Sequence, residues 1–207
     1  MISKRTLHWT VLAALLAAHG CGDEGDEPSA VPGSSASAAG AAGATASTGP
    51  LELTSSEVID GAMLPSKYRC QGVVGGPTGP NPPLAWKGAP SGTLSFALIL
   101  RDRTFMNYQH WTIYDIPPET TSLPEGVAVG EATSPFGAKQ AANSRGLTGP
   151  GYYGPCGPSG MNTYEFKLYA LDVARLPNAG TTGDSVEGEL EQHDLATASL
   201  TVTSGPP

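Results

Sequence analysis

The sequence predicts a mostly β domain with a minor α-helical share, preceded by a leader and a tether. Glycine and proline are abundant, at 27 and 19 of 207 residues, which favours many turns over a bundle of long helices. From residue 51 onward, short apolar or alternating segments recur at strand length. One helical pattern lies near the C-terminus, so strands should dominate the fold.

The N-terminus has the pattern of a bacterial secretory signal. Lys4 and Arg5 precede an apolar stretch, Thr10–Ala18, that is too short to span a membrane. Small residues then lead to Cys21, which resembles the acylated cysteine of a lipobox. We expect a lipoprotein signal peptide over residues 1–20 and a lipid anchor on Cys21, holding the chain to a bacterial membrane in the periplasm or at the cell surface. The alternative is a secreted protein with Cys21 left as an odd thiol.

Residues 21–50 are predicted to be a disordered tether. They begin with acidic residues and continue as alanine, glycine, serine and threonine without an aromatic side chain, a composition that cannot bury enough surface to fold. Residues 51–207 are then the size of one domain. The chain is acidic, with a net charge of −8, and lacks a basic patch interleaved with aromatics, so we expect no nucleic-acid partner.

Strands are predicted in order along this domain. Leu51–Ser55 and Leu84–Trp86 are short candidates, separated by a glycine- and proline-rich loop. Leu94–Leu100 is almost wholly apolar and predicts a strand that is covered on both faces. Asp102 follows in phase with alternate residues of that strand, and the next strand, His110–Ile116, begins with a His-Trp pair. An acid at the end of one strand and a histidine at the start of the next predict a pocket rim.

The C-terminal third holds one more long strand and the helix candidate. Tyr164–Leu171 alternates large apolar with polar residues and is strongly strand-like. Asp184 and Glu187 have capping-box spacing and predict a helix that continues to about Ala198. Leu200–Thr203 predicts a closing strand.

Five sequence blocks follow one another along the domain: Pro82-Pro83-Leu84-x-Trp86, Pro90-x-Gly92-Thr93, His110-Trp111, Gly151-Tyr152-x-Gly154-Pro155 and Tyr164-x-Phe166-x-Leu168. In this order they resemble the phosphatidylethanolamine-binding protein family, in particular its bacterial, Raf-kinase-inhibitor-like branch. The resemblance covers roughly residues 51–200. It implies a central antiparallel sheet flanked by a smaller sheet and a few helices, with a small anion pocket at one end.

The resemblance also implies the residues that line this pocket. The matching positions are Asp102, His110, Tyr152, Gly154 and Pro155. Two positions depart from the family pattern, because Thr104 replaces a second acid and Asn162 replaces a second histidine. Asn162 can still donate a hydrogen bond but carries no charge, so we expect a pocket with weaker or altered phosphate affinity. Gly154 is expected to let the loop backbone approach the ligand.

The chemistry of the site leaves alternatives for each residue. A phosphate needs several hydrogen-bond donors, and an ionised Asp102 would face it only at a cost. Asp102 is therefore expected either to fix the tautomer of His110 or to meet a ligand ammonium. Asp102 capping the turn after its strand, and His110 as a satisfied sheet residue, are the structural alternatives.

The remaining cysteines, Cys70 and Cys156, are an even pair in an oxidising compartment. We predict a disulfide between them that pins the pocket loop to the sheet, with two buried free thiols as the alternative.

These features predict a membrane-tethered binding protein for a small anionic or phospholipid-like ligand. The alternative is a protein-interaction or protease-inhibitor module without a working pocket, and a protein partner remains open for either. We expect no enzymatic activity, cofactor or metal, since the sequence contains no G-x-S-x-G or H-E-x-x-H motif.

Overall fold

The computed structural model describes residues 49–71, 78–130, 137–144, 149–157 and 160–206. The predicted signal peptide, Cys21 and nearly all of the tether lie outside the described residues. Within these ranges, no helix is long and apolar enough to cross a membrane.

The described part is mostly β, as predicted. It contains eight strands, one α-helix and one 3-10 turn at Ser66–Tyr68. The strands are β1 Glu52–Thr54, β2 Leu84–Lys87, β3 Ser95–Asp102, β4 Gln109–Ile116, β5 Ser122–Leu123, β6 Lys139–Gln140, β7 Asn162–Leu171 and β8 Asp194–Ser204, and the helix is α1 Gly183–Leu190.

The strands form two antiparallel sheets. The smaller sheet has the order β1-β2-β5, and the larger has the order β6-β4-β3-β7-β8. β3 is central and pairs with β4 on one side and β7 on the other, with Asp102 opposite Tyr164. Because both pairings are antiparallel, the end of β3 lies beside the starts of β4 and β7 at one edge of the sheet.

Side-chain alternation along β3 and β7 divides the core into two layers. Phe96, Leu98 and Leu100 face the smaller sheet and pack with its Leu53 and Trp86. The intervening residues of β3 face α1 and pack with Val186 and Leu190, both of which are fully buried. β3 is thus covered on both faces, which explains its continuous apolar sequence.

The predicted helix is too long and its cap is misplaced. α1 begins after Thr182, whose hydroxyl accepts from the backbone of Ser185 while the Ser185 side chain accepts from the backbone of Thr182. The helix ends at Leu190, and β8 begins at Asp194, where a helix had been predicted to Ala198. β8 pairs with the whole length of β7, and this ladder, together with β-branched threonines, outweighs the local helical pattern.

Candidate functional site

The strand edge described above brings four polar side chains together. Asp102 ends β3, His110 lies at the start of β4, and Asn162 and Tyr164 lie at the start of β7. Their exposed fractions are 3%, 4%, 9% and 0%, respectively. The sequence predicted the first three as pocket residues, and the fold places all three in this cluster.

Asp102 accepts three hydrogen bonds from the described residues. Its Oδ1 accepts from the backbone N–H groups of Thr104 and Phe105, both at 2.8 Å. Its Oδ2 accepts from Nδ2 of Asn162 at 2.7 Å. Asp102 therefore caps the turn after β3, as one interpretation held, and also ties β3 to the residue that replaces the family histidine.

His110 is held in one tautomer by the loop that crosses it. Its Nδ1 lies 3.0 Å from the carbonyl oxygen of Tyr153, and the N–H of Tyr153 donates to the carbonyl of His110 at 2.8 Å. A carbonyl can only accept, so Nδ1 carries the proton and Nε2 carries a lone pair. The tautomer is therefore fixed by Tyr153, and the proposed tautomer-fixing role of Asp102 was wrong.

Aromatic rings surround this imidazole. Tyr153 stacks on His110 with ring centroids 5.7 Å apart, while Tyr108 and Tyr164 meet it edge-on at 4.9 and 5.3 Å. Burial lowers the pKa of His110 to about 4, against smaller opposing effects of the Tyr153 carbonyl and the Asp102 carboxylate. The imidazole is therefore neutral at physiological pH.

Tyr164 is a site residue that the sequence reasoning treated only as part of a strand. Its hydroxyl is buried and makes no hydrogen bond with the described residues. Burial, and secondarily the nearby Asp102 carboxylate, raise the pKa of Tyr164. The available signal was its position two residues after Asn162, on the same face of the strand.

The pocket loop, residues 152–156, is fastened to residues 68–70. The Tyr152 hydroxyl donates to the carbonyl of Tyr68 at 2.7 Å, and the N–H of Cys70 donates to Pro155 at 3.1 Å. Cys70 and Cys156 form a disulfide, with Cα atoms 5.4 Å apart. A Cβ on Gly154 would lie 2.7 Å from the backbone carbon of Arg69. The missing side chain at Gly154 therefore makes room for the protein's own chain at residues 68–70.

A cleft of about 230 Å³ lies beside this loop. Thr78, Val129 and residues 149–153 line it. Of the predicted pocket residues, only Tyr152 is among them. Asp102, His110 and Asn162 do not line this cleft, and their side chains are buried.

Sequence comparison identifies the family. The profile of the phosphatidylethanolamine-binding protein family matches residues 54–205. This chain belongs to the phosphatidylethanolamine-binding protein family. The predicted recognition of the family and of its bacterial branch is confirmed.

Solved structures and relatives agree with this assignment. The chain is 30% identical to YbcL of Escherichia coli, described as a new member of the mammalian PEBP family, with a TM-score of 0.66 over 77% of this chain and 100% of that one. It is 32% identical to a phosphatidylethanolamine-binding protein homologue of Chlamydia trachomatis, with a TM-score of 0.63 over 76% and 99% of the two chains. It is also 33% identical to a Mycobacterium tuberculosis protein that carries the name lipoprotein LppC, over 86% of this chain and 87% of the relative.

Proposed function

We propose that this chain is a binding protein, tethered outside the cytoplasm, whose strand-edge cluster accepts the small anion or polar head group of a phospholipid-like ligand. The observation that carries the proposal is the hydroxyl of Tyr164, which is buried beside the Asp102 carboxylate and the Asn162 amide but forms no hydrogen bond of ordinary geometry with the described residues. An unsatisfied buried hydroxyl destabilises a fold, and a ligand that bonds to it would recover that free energy.

Thermal unfolding of the full-length chain tests this proposal. Millimolar phosphoethanolamine should raise the midpoint of unfolding, because a ligand that binds only the folded state stabilises it. The rise should be lost in His110→Ala and kept in Lys87→Ala, which removes a surface ion pair with Glu52 on the smaller sheet. If phosphoethanolamine, phosphate, ethanolamine and nucleotides all leave the midpoint unchanged, the head-group pocket is refuted.

The tether is supported by the likeness to LppC. That match covers 86% of this chain, more than residues 51–207 alone can supply, so it extends into the segment before the domain. Cys21→Ser should move the protein from the membrane fraction to the soluble fraction. Mass spectrometry of the membrane-bound protein should find acyl chains on Cys21; an unmodified N-terminus would contradict the anchor.

We also propose that the site binds without catalysis. Within the described residues the imidazole of His110 has one hydrogen bond, to the carbonyl of Tyr153, and none to a serine, threonine or cysteine that it could activate. A panel of simple esters should therefore show no turnover above buffer. Turnover that disappears in His110→Ala would overturn this proposal.

One observation favours a second candidate, a protein-interaction or protease-inhibitor module. The turn after β3 exposes Phe105 and Met106, with exposed fractions of 52% and 72%. The backbone at Met106 and Asn107 has positive φ angles of 54° and 49°, a left-handed turn conformation that is uncommon for residues other than glycine. Inhibition of a protease panel that is lost in Phe105→Ser with Met106→Ser, together with no response to any head group, would favour this candidate.

A further inference from the structure

The methionines that follow the leader are all exposed. Met63, Met106 and Met161 have exposed fractions of 57%, 72% and 53%, and the fourth methionine of the sequence is Met1. Methionine is one of the residue types most often fully buried, so three exposed thioethers in one domain are unusual. The other sulfur atoms in the described residues are already oxidised, because the two cysteines form the disulfide. The three thioethers are therefore the sulfur atoms of the described residues that an oxidant can still modify.

These methionines lie at the end of the large sheet that carries the candidate site. Met106 lies in the turn between β3 and β4, and Met161 immediately precedes β7. Met63 forms a parallel bridge with Thr203, near the end of β8. Thr203 in turn pairs with Thr163, two residues after Met161. Because β3 and β8 end where β7 begins, an oxidant that reaches these thioethers acts beside the strand-edge cluster.

Met161 is the methionine whose sulfur lies against the backbone next to the pocket loop. A Cβ on Gly205 would lie 2.8 Å from Sδ of Met161, so the sulfur packs on the chain just after β8. Gly205 is buried, whereas Met161 is half-exposed. The same stretch of backbone also meets the end of the pocket loop, since a Cβ on Gly157 would lie 2.8 Å from the carbonyl oxygen of Ser204. Met161 therefore contacts the segment on which the pocket loop rests.

Oxidation of this thioether by a peroxide would change the contact. A sulfur lone pair attacks one peroxide oxygen and the O–O bond breaks; the sulfur gains that oxygen and loses two electrons, while the other oxygen leaves as water. The sulfoxide is larger and polar. A sulfur that touches a buried backbone cannot keep its contact after this change, so the chain at residue 161 or at residue 205 must move. Asn162 follows directly and its amide donates to Asp102 at 2.7 Å, so such a movement reaches the site.

We propose that Met161 is a reversible oxidation site through which peroxides loosen the candidate binding site. Sulfoxide at Met161 displaces the segment after β8 and the start of β7, whereas sulfoxide at Met63 or Met106 leaves both in place. Methionine sulfoxide can be reduced enzymatically, so the change can be reversed. The expected effect on ligand binding rests on the proposed function, but the expected effect on stability does not.

Peroxide treatment of the full-length chain tests this inference. Peptide mass spectrometry after treatment with hydrogen peroxide should find one added oxygen on each of the three exposed methionines. The midpoint of thermal unfolding without ligand should fall by roughly 2–4 °C. Incubation with both types of methionine sulfoxide reductase and a reductant should restore the midpoint, because each type reduces one epimer of the sulfoxide. A sample that receives the reductant alone controls for reduction of the disulfide.

Substitutions assign the effect to one sulfur atom. Met161→Leu keeps a side chain of similar volume that peroxide does not oxidise, so its midpoint should be unchanged by treatment. Met63→Leu and Met106→Leu are matched controls, and each should lose as much stability on treatment as the parent. Met161→Gln imitates the polar sulfoxide and should lower the midpoint without peroxide, whereas Met106→Gln should leave it unchanged.

Binding and stability are measured separately. If phosphoethanolamine binds the parent, it should bind at least about threefold more weakly after oxidation, and Met161→Leu should prevent this loss. If phosphoethanolamine does not bind the parent, the proposed function fails and the fall in midpoint alone decides the inference. An equal fall in Met161→Leu would overturn it. So would the absence of sulfoxide at Met161 when Met106 is oxidised, or an unchanged midpoint with no loss of binding.

Discussion

Two buried tyrosine hydroxyls near the site differ in their hydrogen bonding. Tyr152 donates to the carbonyl of Tyr68 at 2.7 Å, whereas Tyr164 has no partner among the described residues. Removal of a hydrogen-bonded group leaves its buried partner unsatisfied, but removal of an unpaired group leaves nothing behind. The two tyrosines therefore allow a structural role to be separated from a binding role with one type of substitution.

Tyr164→Phe should leave the free energy of unfolding unchanged or raise it by up to about 1 kcal/mol, while Tyr152→Phe should lower it by about 1–2 kcal/mol. Urea denaturation without ligand measures both effects. In the same pair of variants, ligand binding should fall only for Tyr164→Phe. A clear loss of stability in Tyr164→Phe would mean that the hydroxyl already has a protein partner, and the observation behind the proposed function would be withdrawn.

His110 should make the protein sensitive to mild acid. Burial lowers its pKa in the folded state to about 4, from 6.5 in an ordinary environment. Between these pH values the unfolded chain takes up a proton that the folded chain does not, so stability is lost as the pH falls through this window. The loss approaches roughly 3 kcal/mol at its acid end.

The measurement is the free energy of unfolding at several pH values between about 7 and 4. The groups that face His110 are the Asp102 carboxylate, the Tyr153 carbonyl and three tyrosine rings. His110→Gln keeps these neighbours and removes the imidazole. The difference in free energy of unfolding between the parent and His110→Gln should therefore shrink as the pH falls, because only the parent loses stability through His110. His193→Gln, which removes an imidazole paired with Asp172 at 3.0 Å, should retain the acid-side loss. Parallel pH profiles for the parent and His110→Gln would contradict the prediction.

At the scale of elements, α1 is tied to the large sheet by one carboxylate. Glu187 pairs with Arg101 of β3 and accepts from the amide of Gln109 of β4 at 2.7 Å. The side chains of this ion pair are only 15% and 18% exposed, so its loss would leave a largely buried guanidinium without its partner. Glu187 therefore positions the helix over the strands that carry Asp102 and His110.

Glu187→Ala should lower the free energy of unfolding by roughly 2–3 kcal/mol, somewhat less than for a fully buried pair. Glu165→Ala is the matched control, because it also removes a carboxylate from an arginine, but one whose side chain is 48% exposed. That variant should lose less than about 1 kcal/mol. Equal losses in urea denaturation would show that exposure does not separate these two ion pairs and that Glu187 has no special part in docking the helix.

Comparison of the predicted with the observed elements shows which parts of the fold the sequence could predict. The alternation of Tyr164–Leu171 predicted β7 because its period is local and both of its faces are covered. The end of α1 was not predictable in this way, because Asp194–Ala198 has only a weak preference of its own for helix or strand. Those residues become strand through pairing with β7, a contact that the local sequence does not encode.

At the scale of the whole molecule, the candidate site was predicted only in part. Asp102 and His110 could be anticipated from their places at strand ends, and Asn162 from the family resemblance. The hydrogen bond from His110 to the carbonyl of Tyr153 could not be anticipated, because every residue has a backbone carbonyl and the sequence does not show which one accepts. The same reason hid the approach of Gly154 to Arg69, where the sequence shows a glycine but not what lies against it.

The disulfide joins the pocket loop, residues 152–156, to residues 68–70. It joins cysteines 86 positions apart, and the Tyr152–Tyr68 and Cys70–Pro155 hydrogen bonds lie beside it. A closed loop of this length is worth roughly 4 kcal/mol of stability if the bond acts by restricting the unfolded chain. Because the loop carries the Tyr153 carbonyl that orients His110, reduction should affect ligand binding as well as stability.

Cys70→Ser with Cys156→Ser should therefore lower the free energy of unfolding by roughly 4 kcal/mol and weaken head-group binding in the protein that remains folded. Addition of reductant to the parent should reproduce both effects, and alkylation followed by mass spectrometry should show that two thiols have been released. Cys21→Ser keeps the bond and should respond to reductant as the parent does. Reductant that releases both thiols and yet leaves stability and binding unchanged would contradict the prediction. The hydrogen bonds of residues 68–70 alone would then hold the loop.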